Sequence, residues 1–355
     1  MAGYSCIGLD IGSNLIKLVQ LKRVRGRVSL YRCAAAPMPK GTMQGGVISD
    51  PEALAGALAR LRLAQPWHWN RVILAPAPRH LILRRLSLPP FTSREMGRAI
   101  RWEAEKLLPM PLDQAVYDYA LIEKRALRET TACDYLVAAL PRAVVDSYTA
   151  VVSRAGFYPE AIEPAPFALQ RSLLFGVAPP EEPGAVLVIN LGAAGTDLLI
   201  AARGRYRFYR YLNFGTSHLS LAAAPGLAGE AAPKSDEASS NPALTGDSLQ
   251  KAAAALARQI NRSLEYYAYE TDYPEVNCRA AFLCGGGAAI PGLEELLGRE
   301  LGLATRRLNP LGKLQSCRRA TLPVAKAEPE CTMNVDAEGP LFCLALGLAL
   351  RGWRI

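Results

Sequence analysis

The chain is poor in the residues that build metal sites and disulfide frameworks. It has eight cysteines in 355 residues, with no Cys-x-x-Cys pair, and only three histidines. That scarcity argues against a zinc centre or a cross-linked scaffold and makes a reducing cytosol the expected compartment. Long apolar runs are also missing. The N-terminal stretch carries Asp10 and Lys17, so it reads as neither a signal peptide nor a membrane span, and the run Leu341 to Leu350 is too short to cross a bilayer. Several catalytic and nucleotide-binding signatures are lacking as well. Gly312-Lys313 is followed by Leu314, so it is not a Walker A loop, and no Gly-x-Ser-x-Gly elbow occurs. Ile290 stands where a dinucleotide fingerprint starting at Gly285 would need its third glycine.

Hydrophobic residues make up 50% of the chain, which suits a globular protein long enough for two lobes with their own cores. The formal charge of +9 favours an acidic partner, a nucleic acid or an anionic membrane surface without choosing among them.

The most informative stretch is Ile7-Gly8-Leu9-Asp10-Ile11-Gly12-Ser13-Asn14, from which Leu15 to Leu21 leaves as a second apolar run. Two apolar runs around a Gly-Ser-Asn turn predict a β-hairpin. Such a turn exposes backbone N–H groups and a hydroxyl beside a carboxylate, a combination that can hold a phosphate and, through water, Mg²⁺. Alone it reads first as an ordinary hairpin. A second copy follows: Val188-Ile189-Asn190-Leu191-Gly192-Ala193-Ala194-Gly195-Thr196, with Asn190 lying 180 residues after Asp10. Further on, Gly26 to Arg32 matches Gly204 to Arg210 in the order Gly, Arg, apolar, Tyr, Arg. A duplication at half the chain length predicts two similar lobes.

Between and after these copies, helices are expected from Asp50 onward, over Thr92 to Leu108, from Pro141 to about Gly156, after Asp247, over Pro291 to Leu301 and over Pro340 to Leu350. Strands are expected within Arg71 to Leu88, at Tyr117 to Glu123, at Asp134 to Ala139 and at Ala280 to Cys284. The segment 222–245 is rich in Ala, Pro, Gly, Ser and acidic residues and reads as a mobile loop. The chain then divides into a first lobe (1–36 and 139–180), an inserted partner-binding subdomain (37–138) and a second lobe (184–221 and 276–355). The second lobe carries its own insertion (222–275), made of the loop and a long helix over 247–272.

The two glycine hairpins, the helix pair between them and the late Gly285-Gly286-Gly287 turn, in this order, resemble the actin-like ATPase superfamily, an α/β ribonuclease H-like duplicated two-lobe fold. Leu108-Pro109-Met110-Pro111-Leu112, Ala155-Gly156-Phe157-Tyr158-Pro159, Arg262-Ser263-Leu264-Glu265-Tyr266-Tyr267 and Ala345 to Arg351 narrow the resemblance to the PilM family of type IV pilus assembly. That resemblance implies an FtsA-type inserted subdomain and ATP with Mg²⁺ in the cleft. It implies a partner in the N-terminal cytoplasmic tail of a PilN-like membrane protein, with other pilus platform proteins nearby. It also implies a cytoplasmic location peripheral to the inner membrane and no role for nucleic acid, and it leaves homo-oligomer formation open. Residue by residue, Asp10 would hold Mg²⁺ through water, and Gly12, Ser13, Asn14 and Lys17 would meet the phosphates. Glu163 would orient water or metal as the catalytic carboxylate. Asn190, Gly192, Ala194 and Gly195 would close from the other lobe, and Gly285, Gly286 and Gly287 would face the adenosine opposite Gln259 and Arg262.

The chain departs from the family pattern in places that bear on hydrolysis. Asn190 replaces the usual aspartate, Asn213-Phe214-Gly215-Thr216 replaces a Gly-Gly pair, and Gln259 replaces a glutamate. A neutral amide adds no charge against a metal. The expectation is a nucleotide-binding scaffold with weak or absent turnover. The alternatives are a sugar or acid kinase of the same fold and an FtsA-like membrane tether. The basic stretches, among them Arg203 to Arg210, read as a solvated face or a membrane-proximal surface. Tyr31 and Tyr209 read as core or strand-pair residues rather than ligand contacts.

Overall fold

The computed structural model describes residues 3–126, 131–177, 184–222, 246–270, 277–314 and 335–353. The expected loop over 222–245 therefore lies almost wholly outside the described residues.

The first sheet is built from β1 (Gly3–Tyr4), β2 (Ile7–Ile11), β3 (Leu15–Val24) and β4 (Arg27–Pro37). A small ribbon, β5 (Met43–Gln44) with β6 (Val47–Ile48), leads into α1 (Pro51–Leu63). Asp50 caps that helix by accepting from the Ala53 amide, and Pro51 occupies a first-turn position where no amide proton is needed. Next, β7 (Arg71–Ala75) pairs in parallel with β2. The chain leaves this sheet to form β8 (Ile82–Leu88), α2 (Ser93–Leu107), β9 (Ala115–Ala126) and β10 (Thr131–Pro141). These strands make a separate antiparallel sheet in the order β8-β10-β9. Thr92 and Glu95 close a capping box at the start of α2. The chain returns through α3 (Arg142–Arg154) and β11 (Tyr158–Ile162), which pairs in parallel with β7, and then crosses over on α4 (Ala165–Gly176).

The second half repeats the plan. β12 (Ala185–Leu191), β13 (Thr196–Ala202) and β14 (Arg205–Leu212) form antiparallel pairs, followed by α5 (Thr216–Ala222) and α6 (Gly246–Glu270). β15 (Cys278–Cys284) pairs in parallel with β12, α7 (Leu293–Leu301) follows, and β16 (Ala304–Arg307) completes the order β14-β13-β12-β15-β16. α8 (Val335–Glu338) and α9 (Cys343–Ala349) end the described chain.

The central strands of the two lobe sheets, β2, β12 and β13, are covered on both faces, which is why they read as nearly unbroken apolar runs. On the outer face of the first sheet, Ile7, Leu9, Ile16, Leu18 and Leu74 pack with α1 and α3. On the outer face of the second, Leu187, Ile189, Leu198 and Ile200 pack with α6 and α7. The inner faces are closed by α9 and α4. α9 lies on β2 and β3 of the first sheet, α4 lies on β13 and β14 of the second, and the two helices pack on each other. Their backbones come very close. A Cβ on Gly347 would fall 1.9 Å from the Ala168 carbonyl oxygen, and one on Gly8 would fall 1.9 Å from that of Ala345.

Two expected boundaries change. The insertion does not begin at residue 37: β7 is a central strand of the first sheet and α1 covers that sheet, so only β8 to β10 with α2 form a sheet of their own. A five-residue apolar strand carries no mark of which sheet it joins. Likewise α9, assigned to the second lobe, packs on the first, while α6, read as part of an insertion, fills the second lobe's core.

Gly347→Ala and Gly8→Ala are each expected to lower the unfolding free energy by about 3 kcal/mol or more, because the clash is with backbone and not with a movable side-chain end. Urea unfolding followed by circular dichroism measures it.

Candidate functional site

The register of the two hairpins builds the site. In the first, Asp10 on β2 lies opposite Lys17 on β3. In the second, Asn190 on β12 lies opposite Asp197 on β13. The turns close alike: the Gly12 amide donates to the Leu15 carbonyl at 3.0 Å, and the Gly192 amide to the Gly195 carbonyl at 2.9 Å. Along each strand the side chains alternate, so Asp10, Lys17, Asn190 and Asp197 leave the face opposite to Leu9, Leu18, Ile189 and Leu198. All four therefore point inward, and the charges of Asp10 and Lys17 reach Asp197 across the gap between the lobes.

Within this group Lys17 Nζ donates to Asp10 Oδ2 at 2.5 Å, both side chains being nearly buried. Across from them, Asn190 Nδ2 donates to Asp197 Oδ2 at 2.8 Å and the Tyr209 hydroxyl donates to Asp197 Oδ1 at 2.6 Å. Burial pushes the Asp197 carboxyl up to about 6, against the hydrogen bonds from Tyr209 and Asn190, with the Asp10 charge adding to the rise. Asp197 was missed in the sequence. Its signal was available, since it stands 180 residues after Lys17 as Asn190 does after Asp10. The carboxylate absent from position 190 thus sits across the strand pair. Tyr209 is also more than a packing residue, because its hydroxyl orients that carboxylate.

The remaining candidate residues are placed unevenly. Ser13 and Asn14 are exposed at the tip of the first turn, and Ala194 at the tip of the second. Gly195 is buried under the Tyr211 ring. The replacement sequence after β14 seats itself on the second turn: the Thr216 amide donates to the Gly192 carbonyl at 2.9 Å and the Ser217 amide to that of Ala193 at 3.1 Å. Gly285 and Gly287 are buried against Asn190 and Leu191 with no room for a Cβ, and of the three glycines only Gly286 is exposed. On α6, Gln259 is half-buried and Arg262 exposed.

Glu163 requires a correction. Both of its oxygens accept from Arg171 on α4, Oε1 from Nη1 at 2.9 Å and Oε2 from Nη2. Arg171 Nε also donates to the Gly347 carbonyl at 2.8 Å. The carboxylate is a fastener between β11, α4 and, through Arg171, α9, with both oxygens engaged by that guanidinium. Nothing in the spacing of Glu163 and Arg171 announces the pair.

The inserted sheet docks on the second lobe next to this cleft. Arg207 of β14, half-buried behind a bulge, reaches Glu123 of β9 at 3.4 Å. It is not part of a solvated face. Within the insert, Asp134 is fully buried between Arg85 and Arg125. Its burial is outweighed by those guanidiniums, which hold its carboxyl below the usual range.

The family model for the type IV pilus assembly protein PilM matches residues 8–353. The chain belongs to the PilM family. It is similar to a chain of a solved PilM-PilN type IV pilus biogenesis complex, at 26% identity over 99% of each chain with a TM-score of 0.79. A second solved structure, the ethanolamine utilization protein EutJ from Carboxydothermus hydrogenoformans, shares the fold at 14% identity and a TM-score of 0.51, covering 99% of this chain and 90% of that one. This PilM-family chain thus has the actin-like, duplicated two-lobe fold with an inserted FtsA-type subdomain. Among the described residues no helix is long and apolar enough to cross a membrane.

Two measurements follow. Because Asp197 titrates near 6 folded and near 3.8 unfolded, the native state binds more protons between these values, and stability falls as pH rises through that window. Asp197→Asn is expected to be more stable than the parent by about 3 kcal/mol at pH 8, with the advantage gone below pH 4 in urea titrations. Arg171→Ala is expected to cost about 3 kcal/mol by leaving Glu163 buried and unpaired. Adding Glu163→Gln should recover part of the loss, whereas no recovery would mean that the carboxylate is not what the arginine serves.

Proposed function

We propose that this chain is a nucleotide-binding scaffold of type IV pilus assembly that takes the short cytoplasmic N-terminal tail of a PilN-like inner-membrane protein. The observation that carries this reading is the likeness to the PilM-PilN complex over 99% of both chains. In this reading the protein is cytoplasmic and peripheral to the inner membrane, and the inserted unit is its partner-binding module. That unit exposes Phe91, Trp102 and Leu121, large apolar groups that a partner could cover.

The nucleotide is ATP, held between the two hairpins. Lys17 and the Gly12-Ser13-Asn14 turn meet its phosphates from one side, and Gly192 and Ala194 approach from the other. Mg²⁺ keeps several waters and usually takes one or two carboxylates besides phosphate oxygens. Asp10 and Asp197, on facing inner surfaces, fit such a hydrated ion. Among the described residues no group of three His, Cys, Asp or Glu could cage a bare one. Turnover is slow or absent, because Asn190 brings no charge and Glu163 is engaged by Arg171.

The test is retention of a synthetic tail peptide of the PilN-like partner on immobilised protein, with and without ATP, alongside calorimetric titration of ATP. The expected results are peptide capture, weakened by Trp102→Ala, and millimolar or tighter ATP binding that Asp10→Ala impairs and that strengthens as pH falls through 6. No capture in either condition would overturn the scaffold reading. Brisk hydrolysis would overturn the claim of slow turnover.

A further inference from the structure

A cluster of four rings covers one end of the first sheet, away from the cleft. Tyr4 of β1 stacks on His68 with 3.7 Å between ring centres, and Tyr31 of β4 meets Tyr4 edge-on at 4.9 Å. Trp69 packs against His68 at 4.6 Å. Two cations lean on the same group, Lys22 Nζ lying 5.9 Å and the Arg32 guanidinium 5.4 Å from the centre of the Tyr31 ring. His68 and Trp69 are exposed, and the other four side chains are half-buried.

Strand register brings these residues together. Tyr4 lies directly opposite Lys22 on β3, so both leave the same face; Val24, two residues on, leaves it too, opposite Arg27, and both of these are exposed. Tyr31 is the extra residue of a bulge, since Gln20 faces Arg32 while Leu21 faces Leu30. The rings stand on a fixed base. The His68 amide donates to Gln20 Oε1 at 3.0 Å, the Trp69 indole N–H to the Ser5 carbonyl at 2.9 Å, and the Tyr31 hydroxyl to the Pro66 carbonyl at 3.3 Å. No carboxylate takes part. Asp10 is the only acidic residue in positions 1–49, and its strand partner Lys17 lies roughly 17 Å along β3 from Lys22. Positions 64–71 contain none. Glu160, across from the start of β7, is taken by Arg71 at 2.6 Å. Lys22 and Arg32 make no ion pair among the described residues, and Arg32 Nε is buried without a hydrogen-bond partner.

We propose that this face docks on an anionic lipid surface, with the rings in the headgroup layer and Lys22, Arg27 and Arg32 on lipid phosphates. Trp and Tyr rings have an apolar body and a polar tip, which suits the boundary between headgroups and acyl chains. Basic side chains beside that boundary are drawn to its negative potential. Rings alone would suit many partners, but cations left without an acidic counterpart select an anionic one. Because the rings are already held in place, covering them orders no loop. The cleft lies at the other end of β2 and β3, so a molecule docked by this face keeps its cleft away from the lipid. The proposal deepens the membrane-peripheral part of the function proposed above and rests on it, but it needs neither the tail peptide nor nucleotide.

Co-sedimentation with vesicles of phosphatidylethanolamine and phosphatidylglycerol tests it, beside vesicles of phosphatidylcholine alone. The full chain should sediment with the first and stay in solution with the second, and about 0.5 M salt should release it. Lys22→Gln and Arg32→Gln should each weaken binding about fivefold, and Trp69→Ala about tenfold. Arg299→Gln, at an exposed position of α7, should leave it unchanged. Circular dichroism and a thermal melt confirm that the variants are folded, and Lys22→Gln serves if Trp69→Ala is not. Capture of the tail peptide should be the same in every variant. Tail capture without vesicle binding would overturn the lipid surface and leave the scaffold reading standing. Vesicle binding that the patch variants weaken, in a chain that captures no tail, would do the reverse. The proposal is also overturned by vesicle binding that no patch variant weakens, or by equal binding to phosphatidylcholine. A dimer in sedimentation equilibrium that Trp69→Ala dissolves, with vesicles left unbound, would assign the face to a second copy of the chain and overturn it as well.

Discussion

The packing of α4 against α9 between the two sheets is the constraint on which the rest of the molecule depends. Each helix belongs to one half of the chain and covers the sheet of the other, α9 lying on β2 and β3 and α4 on β13 and β14. Where the contact is closest, Gly347 lies on the Ala168 backbone with no room for an extra methyl, and the Ser172 hydroxyl donates to the Cys343 carbonyl at 2.6 Å. Arg171 fastens it by binding Glu163 at the end of β11 and the Gly347 carbonyl at once. The lobes cannot part without stripping each sheet of a layer that the other half supplies. That exchange makes the pair one cooperative structure and fixes where the strand ends meet.

The cleft is a consequence of that arrangement together with strand alternation. A residue on a strand that is not on the outer face must be on the inner one. Asp10, Lys17, Asn190 and Asp197 are the last inward positions before their turns, beyond the inward apolar residues Val19, Val188 and Leu199 that pack with the central helices. Polar side chains are tolerated there because each has a partner across its own hairpin, Asp10 with Lys17 and Asn190 with Asp197. The site is thus built at the lips of two hairpins whose stems form the core.

The duplication was legible because both copies turn at a glycine after an apolar strand, 180 residues apart, with a matching Gly-Arg-to-Tyr-Arg ribbon 178 residues apart, and from it the two-lobed fold class could be read. Helix starts were legible where a local cap exists, as at Asp50 and Thr92. What escaped notice was tertiary. β7 looks like any short apolar strand, and only its pairing with β2 and β11 shows that it belongs to the first sheet. The lobe that α9 covers is not encoded in its own residues. Glu163 was read by its column in the family pattern, and its engagement depends on Arg171, which no periodicity links to it. Asp197 is not marked by the family pattern, which carries its carboxylate at position 190, whereas here it stands across the strand pair.

That displaced carboxylate changes what the cleft can accept. In the first hairpin an acid faces a base, so their charges cancel to nearest-neighbour order; in the second an amide faces an acid. The four side chains together carry about one negative charge when Asp197 is ionised and none when it is protonated, and its titration near 6 lies within reach of cellular conditions. On the proposed reading, an anion entering between the hairpins meets that negative charge, and two events would relieve the repulsion. A cation can enter with it and bridge Asp10 and Asp197, or Asp197 can take up a proton, with Tyr209 and Asn190 holding the neutral carboxyl in place. An aspartate at 190 in place of the amide would have added a second negative charge and left cation entry as the main route. With asparagine at 190, the proposed reading leaves both a proton on Asp197 and a metal ion as ways to admit the anion, and the two would compete as pH changes.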